Sequence, residues 1–97
     1  MIVSFGDTAT EDLFHRRKTR RVRRFPPDIT QTALRKLDVM NMAHDLDDLR
    51  SPPSNRLKAL KGNLKGFYSI RVNDQWRIVF RWSSGSVLDV SLTDYHS

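Results

Sequence analysis

The chain has 97 residues, no cysteine and a net charge of +6. That length provides one modest hydrophobic core, and the missing cysteines exclude disulfides and thiolate metal sites. No apolar run approaches the roughly 20 residues needed to span a bilayer, and the opening MIVSFGDTATEDLF lacks the basic and apolar regions of a secretory signal, so a cytoplasmic location is expected.

The chain opens with Met1 to Phe5, a short apolar stretch that suits a strand at the edge of a sheet. Asp7 or Thr8 can cap a first helix, because a side-chain oxygen accepts an N–H left over at a helix start. Thr8 and Glu11 have capping-box spacing, and the helix is expected to reach Arg16 with Leu13 and Phe14 inward. A basic block follows, RRKTRRVRR, comprising Arg16, Arg17, Lys18, Arg20, Arg21, Arg23 and Arg24. Outside it, ten basic residues stand against eleven acidic ones, so the positive excess is local. Such a field favours a polyanion, nucleic acid above all; the alternatives are a solvated connection or an anionic protein partner.

Pro26-Pro27-Asp28 starts a second helix over Pro27 to Ala43. Ile29, Ala33, Leu37 and Met40, with Leu34 alongside, form its inward stripe. Met40 and Met42 read as core filler. Asp45, Asp47 and Asp48 lack the glycine and distal glutamate of a calcium loop, so no metal is expected there. One helical turn is expected around Leu46 to Leu49 and a strand over Asn55 to Leu60. The loop Lys61 to Gly66 lacks the spacing of a phosphate-binding P-loop.

From Phe67 onward the chain alternates as three strands. Tyr68, Ile70 and Val72 share a face with Trp76, Ile78, Phe80 and Trp82, and with Leu88, Val90 and Leu92. Gln75, Arg77, Val79 and Arg81 take the other face, as does Arg71. Asn73-Asp74 and Ser83 to Ser86 supply the turns. The expected fold class is α+β: two N-terminal helices packed on one face of a small antiparallel sheet, in one domain over 1–97. The uncovered face is polar and basic.

Chemistry concentrates at Asp94, Tyr95 and His96. Imidazole exchanges protons near neutrality, and a carboxylate two positions away can orient it. Tyr95 can stack on a base. A frayed terminus is the alternative. Phosphoryl chemistry also needs cations, which Arg77 and Lys61 offer; by the strand order Lys61 is expected beside Arg77.

On the opening MIVSF, the segments RRFPPDI, ALRKLD, DDLRSPPSNRLKALKG and YSIRVNDQWRIVFRW, and the closing DYH, the chain resembles the HigB-type killer toxins of the RelE superfamily. The resemblance covers nearly the whole chain. It implies a RelE-like fold and a ribosome-dependent messenger-RNA endonuclease that needs no metal and no cofactor. It also implies a helix-turn-helix, HigA-like antitoxin, with operator DNA reached only through that complex. The family's catalytic lysine falls on Lys61, its strand arginine on Arg77, and its closing acid, tyrosine and histidine on Asp94, Tyr95 and His96. Some relatives carry a histidine where this chain has Lys58, and many have a shorter arginine block.

The expected activity is translation-blocking cleavage of mRNA through attack by the substrate's own 2′-hydroxyl. Arg16, Arg17, Lys18, Arg20, Arg21, Arg23, Arg24, Lys58, Arg71 and Arg81 are expected to hold RNA or ribosome. The alternative is a non-catalytic nucleic-acid-binding module, which needs only the basic block and the arginine face.

Overall fold

Each of the last three strands presents alternate residues to a common core, and this alternation organises the fold. The computed structural model describes residues 1–94. Strands β1 (Lys58–Ala59), β2 (Phe67–Arg71), β3 (Trp76–Ser83) and β4 (Ser86–Asp94) form one antiparallel sheet in chain order. Tyr68 is opposite Phe80, and Ile70 is opposite Ile78, which is itself opposite Leu92. Helices α1 (Thr8–Phe14) and α2 (Pro27–Met42) supply the second layer. Ile29, Ala33, Leu37 and Met40 of α2 are buried in one cluster with Ile70, Ile78, Phe80, Val90 and Leu92. Burying a side chain of that size stabilises by about 1.5–3 kcal/mol. Tyr68 stacks on Phe80 with centroids 6.0 Å apart, and Phe25 meets Trp76 edge-on at 5.7 Å.

The turns follow their chemistry. Asn73 Oδ1 accepts the N–H groups of Gln75 and Trp76 at 2.8 and 2.7 Å, which fixes the β2–β3 turn. Ser83 pairs with Ser86 across β3–β4, and Ser84 and Gly85 between them both have positive φ, the twist a two-residue hairpin needs.

The helices are anchored by polar contacts. Asp7 caps α1, its carboxylate accepting the Thr10 N–H at 2.7 Å, and Thr8 is already helical, so the Thr8–Glu11 capping box gives way to Asp7. The buried Thr10 hydroxyl accepts the Leu92 N–H at 2.9 Å and ties α1 to β4. Ile2 and Phe5 bridge in parallel to Val87 and Val90, so the opening segment does flank the sheet, along β4. Gly6 is needed there: a Cβ would lie 2.3 Å from Ser91 Oγ and 3.1 Å from the Asp89 carbonyl oxygen.

Four expectations are corrected. Helix α1 stops at Phe14, and Arg16 beyond it has φ 57. Met42 is 77% exposed, while Met40 is fully buried. In β4 a bulge sets Asp89 in the left-handed region (φ 53), so Val87, not Leu88, enters the core with Val90 and Leu92. The strand expected over Asn55 to Leu60 shrinks to β1, because Asn55 is buried and bonded elsewhere. Its amide donates to the carbonyls of Leu49 and Ser51 at 3.1 and 3.3 Å and its oxygen accepts from Lys36. The turn around Leu46 is present as a 3-10 helix over Leu46–Arg50, where Asp45 and Asp48 form a capping box. Backbone N–H bonds from Asp45 and His44 lower the Asp48 pKa. Among the described residues, no helix is long and apolar enough to cross a membrane.

Candidate active site

The sheet face turned away from the helices collects the cationic side chains in rows. Arg71 stands opposite Arg77, and Arg77 opposite Thr93. In the next row Lys58, Ser69, Val79 and Ser91 are successive cross-strand partners. Further along, Phe67 is opposite Arg81, and Arg81 opposite Leu88. Arg77 Nη1 donates to the buried Ser69 Oγ at 3.5 Å, which holds the guanidinium over the sheet. Arg71 forms an ion pair with Asp74 in the adjoining turn. Arg81 lies 3.4 Å from Asp89. Alternation thus delivers Arg71, Arg77 and Arg81 to one surface, as the sequence pattern predicts, and the strand pairing adds Lys58.

The other expected residues divide. Asp94 ends β4 opposite Trp76, one step beyond Thr93, and so belongs to the same end of the sheet as Arg71 and Arg77. Its pairing with Trp76 gives it the helix-side parity, and its Oδ2 accepts from Gln75 Nε2 at 3.1 Å. Tyr95 and His96 lie outside the described residues. Lys61 is not beside Arg77. It follows β1 past Leu60, whose N–H donates to the Phe67 carbonyl at 2.9 Å, so Lys61 is at the Phe67 end of β2. Arg77 is opposite Arg71 at the other end, about 16 Å away along the strand direction, and β2 stands between the two strands concerned.

The basic block is folded back on an acid that its own sequence does not contain. Asp12 of α1 is 3% exposed. Its carboxylate accepts from Thr19 Oγ1 at 2.9 Å and pairs with Arg17 at 3.2 Å and Arg21 at 3.3 Å. Burial alone would raise the Asp12 pKa; the bonds from Thr19 and Arg17 and the charge of Arg21 outweigh it and hold the carboxyl below the usual range. Arg16 pairs with Asp38 of α2 at 2.9 Å. Among the described residues the exposed side chains of Lys18, Arg20, Arg23 and Arg24 form no ion pair, and they carry the block's outward charge. Sequence reasoning missed Asp12, since it is adjacent to an inward leucine and reads as an ordinary helix-surface acid.

It also missed Lys36. That side chain borders a cavity of about 360 Å3 between α2, the Ser51-Pro52 segment and Ile70. Burial first, then the charges of Arg35 and Arg71, lower its pKa. The available signal was position: Lys36 is three residues after Ala33 and four before Met40, on the margin of the inward stripe.

The family model described as the RelE-like toxin of the type II toxin–antitoxin system HigB matches residues 3–96. Toxin HigB-1 of Vibrio cholerae is 40% identical over 92 residues, 95% of this chain and 95% of that protein. Endoribonuclease HigB of Proteus vulgaris is 39% identical over 41 residues, 42% of this chain and 45% of that one. Among solved structures, a YoeB–YefM complex from Staphylococcus aureus superposes with a TM-score of 0.62 at 21% identity, over 100% of this chain and 97% of the other, which shows the fold. A family match across this length, together with a full-length relative of that kind, places the chain among the HigB-like, RelE-like toxins of type II toxin–antitoxin systems.

Proposed function

We propose that residues 1–97 form one toxin domain that cleaves messenger RNA on the ribosome. The observation that supports this reading is the facing pair Arg71–Arg77 at the end of the sheet where β4 closes on Thr93 and Asp94, in a chain whose family match runs to residue 96. The name of the Proteus vulgaris relative, an endoribonuclease, supports the reaction class.

In the proposed reaction the ribose 2′-oxygen attacks the adjacent phosphorus. The phosphorus–5′-oxygen bond breaks, leaving a 2′,3′-cyclic phosphate and a 5′-hydroxyl. One proton leaves the 2′-hydroxyl and one reaches the 5′-oxygen. The nucleophile belongs to the substrate, so the protein supplies proton transfer and positive charge, and no metal is required. His96 transfers protons and Asp94 orients it. Arg77 stabilises charge on the non-bridging oxygens. Tyr95 stacks on the nucleotide, and Arg71, Lys58 and Arg81 hold the backbone. Lys61, a strand length from Arg77, holds RNA rather than the reacting phosphate. A helix-turn-helix antitoxin neutralises the protein, and operator DNA is reached through that complex.

The test is cell-free translation with cleavage mapped by primer extension, comparing wild type with His96→Ala. Loss of a proton-transfer group removes about 10²–10⁴-fold in rate. A folded variant cutting within about threefold of wild type, against that range, would remove His96 from the mechanism. A wild-type protein that binds ribosomes without cutting would leave a non-catalytic binding module.

A further inference from the structure

The uncovered sheet face has a second feature, a trough that starts at the Phe67 end and runs along β4 to Thr93, the cross-strand partner of Arg77. Phe67, Val79 and Leu64 line a shallow trough of about 470 Å3, together with Ser91 and Asp89. Leu64 is 41% exposed and Phe67 half-buried, although the main core lies on the other side of the sheet. The Arg81 guanidinium is 5.8 Å from the Phe67 ring centroid. Asp89 borders the trough from the bulge, where its left-handed backbone and the bond from its N–H to Ser4 Oγ at 2.9 Å hold the main chain, while its Oδ2 lies 3.4 Å from Arg81 Nη1 and leaves Oδ1 open to a ligand.

We propose that this trough receives one unstacked guanine of the single-stranded RNA, with the trough-facing side of the Phe67 ring as its stacking surface, Arg81 beside that ring holding the backbone, and Asp89 reading the base edge. The inference rests on the endoribonuclease reading and goes beyond it by assigning a specificity subsite. Three observations favour a nucleobase. Aromatic rings are surfaces on which single-stranded RNA stacks. Lys58, Lys61 and Lys65 flank the Phe67 end of the sheet, which suits a ligand with an anionic backbone. Finally, an ionised carboxylate only accepts hydrogen bonds. Guanine offers it two adjacent N–H donors, whereas uracil offers one between two carbonyl oxygens. Arg81 is four residues from Arg77 on the same strand, about 13 Å, so the base read is a few nucleotides from the bond cut. Phe67, Arg81 and Asp89 are therefore positioning and specificity residues, not catalytic ones.

The experiment is single-turnover cleavage on ribosomes programmed with messages that carry each base in turn near the cleaved bond. Wild type, Phe67→Leu and Asp89→Asn are compared, with melting temperature as the folding control. Leucine keeps the apolar bulk of Phe67 and removes its ring. It should raise the protein concentration for half-maximal cleavage by about 5- to 150-fold, the worth of one base stack, and leave the saturated rate unchanged. Asparagine tolerates the left-handed backbone at 89 and should keep overall cleavage while erasing a guanine preference at one fixed offset. Unchanged half-saturation in Phe67→Leu overturns the stacking assignment, and an unchanged site pattern in Asp89→Asn overturns the edge reading. Should Phe67→Leu fail to fold, the Asp89→Asn comparison decides. A wild type that cleaves no message overturns the endoribonuclease reading and this inference with it. A cleaving wild type with indifferent variants overturns this inference alone.

Discussion

Arg71 and Arg77 face each other directly across the β2–β3 ladder. Like charges in that position repel and weaken a sheet. The cost is offset on one side by the ion pair of Arg71 with Asp74 and on the other by the bond from Arg77 to Ser69. A fold under no other demand would gain from an apolar residue at 77, next to the buried Val79. Arg77→Ala should therefore leave the melting temperature unchanged or raise it. Cleavage should fall by about 10²–10³-fold, as when one donor to a developing oxyanion is removed. A variant that melts early would show that Arg77 serves the fold first.

The outward half of the basic block should act in docking. Replacing Lys18, Arg20, Arg23 and Arg24 with Gln spares Arg17 and Arg21, which Asp12 holds. Ribosome binding should weaken, and the slope of log affinity against log salt should become shallower by up to about 3 as fewer counterions are released. Cleavage at saturating ribosome should persist. Filter binding across a salt series reads the slope, and an unchanged slope would assign these residues to the antitoxin or to plain solvent.

Asp12 gives the fold a pH dependence whose sign is fixed. Burial acts to raise its pKa, but Thr19, Arg17 and Arg21 lower it further than burial raises it. A carboxyl with a lowered folded pKa contributes stability that is complete above its unfolded value, about 3.9, and is lost as pH falls through the folded value. The melting temperature of Asp12→Asn should lie below that of wild type at neutral pH. The gap should narrow below about pH 4. A gap that stays constant through acid would mean that the carboxyl is not held in its charged form.

Phe80 is fully buried between Tyr68 and the α2 stripe. Phe80→Ala should lower stability by about 3–5 kcal/mol, the range for an aromatic truncated to a cavity. Leu88→Ala, on the half-exposed shoulder of the bulge, should change it by less than about 0.5 kcal/mol. Chemical denaturation of both variants measures the contrast.

The layers and the sheet were legible because alternation and helical spacing are local signals. Trp76 to Trp82 and Ile29 to Met40 show their inward faces without reference to anything distant. The bulge at Asp89 was not legible. It depends on a left-handed residue and a Ser4 bond contributed from the other end of the chain, and its single extra residue exchanges Leu88 for Val87 in the core. Asn55 misled for a similar reason: its sequence suits a strand, but its amide closes the connection over Leu49 and Ser51. In the site, parity placed Arg71, Arg77 and Arg81 together, and the pairing of Lys58 with Ser69 adds Lys58 to them. Parity says nothing about which end of a strand a following loop reaches, so Lys61 was set beside Arg77 and lies at the other end. Asp12 was hidden because a buried acid is recognised by its partners, and these are five to nine positions further along.

The pairing of residues 2 and 5 with residues 87 and 90 also sets the order in which the molecule can assemble. Helix α2 and the β2–β3 and β3–β4 hairpins need only nearby partners. The strip along the outer side of β4 needs two ends of chain separated by more than 80 residues. Closing so long a loop adds little to the equilibrium cost, which grows only with the logarithm of length, but it slows the search. Folding should therefore be limited by the seam between the first segment and β4. The bond from the Leu92 N–H to Thr10, which seats α1 on the sheet, belongs to that same slow step.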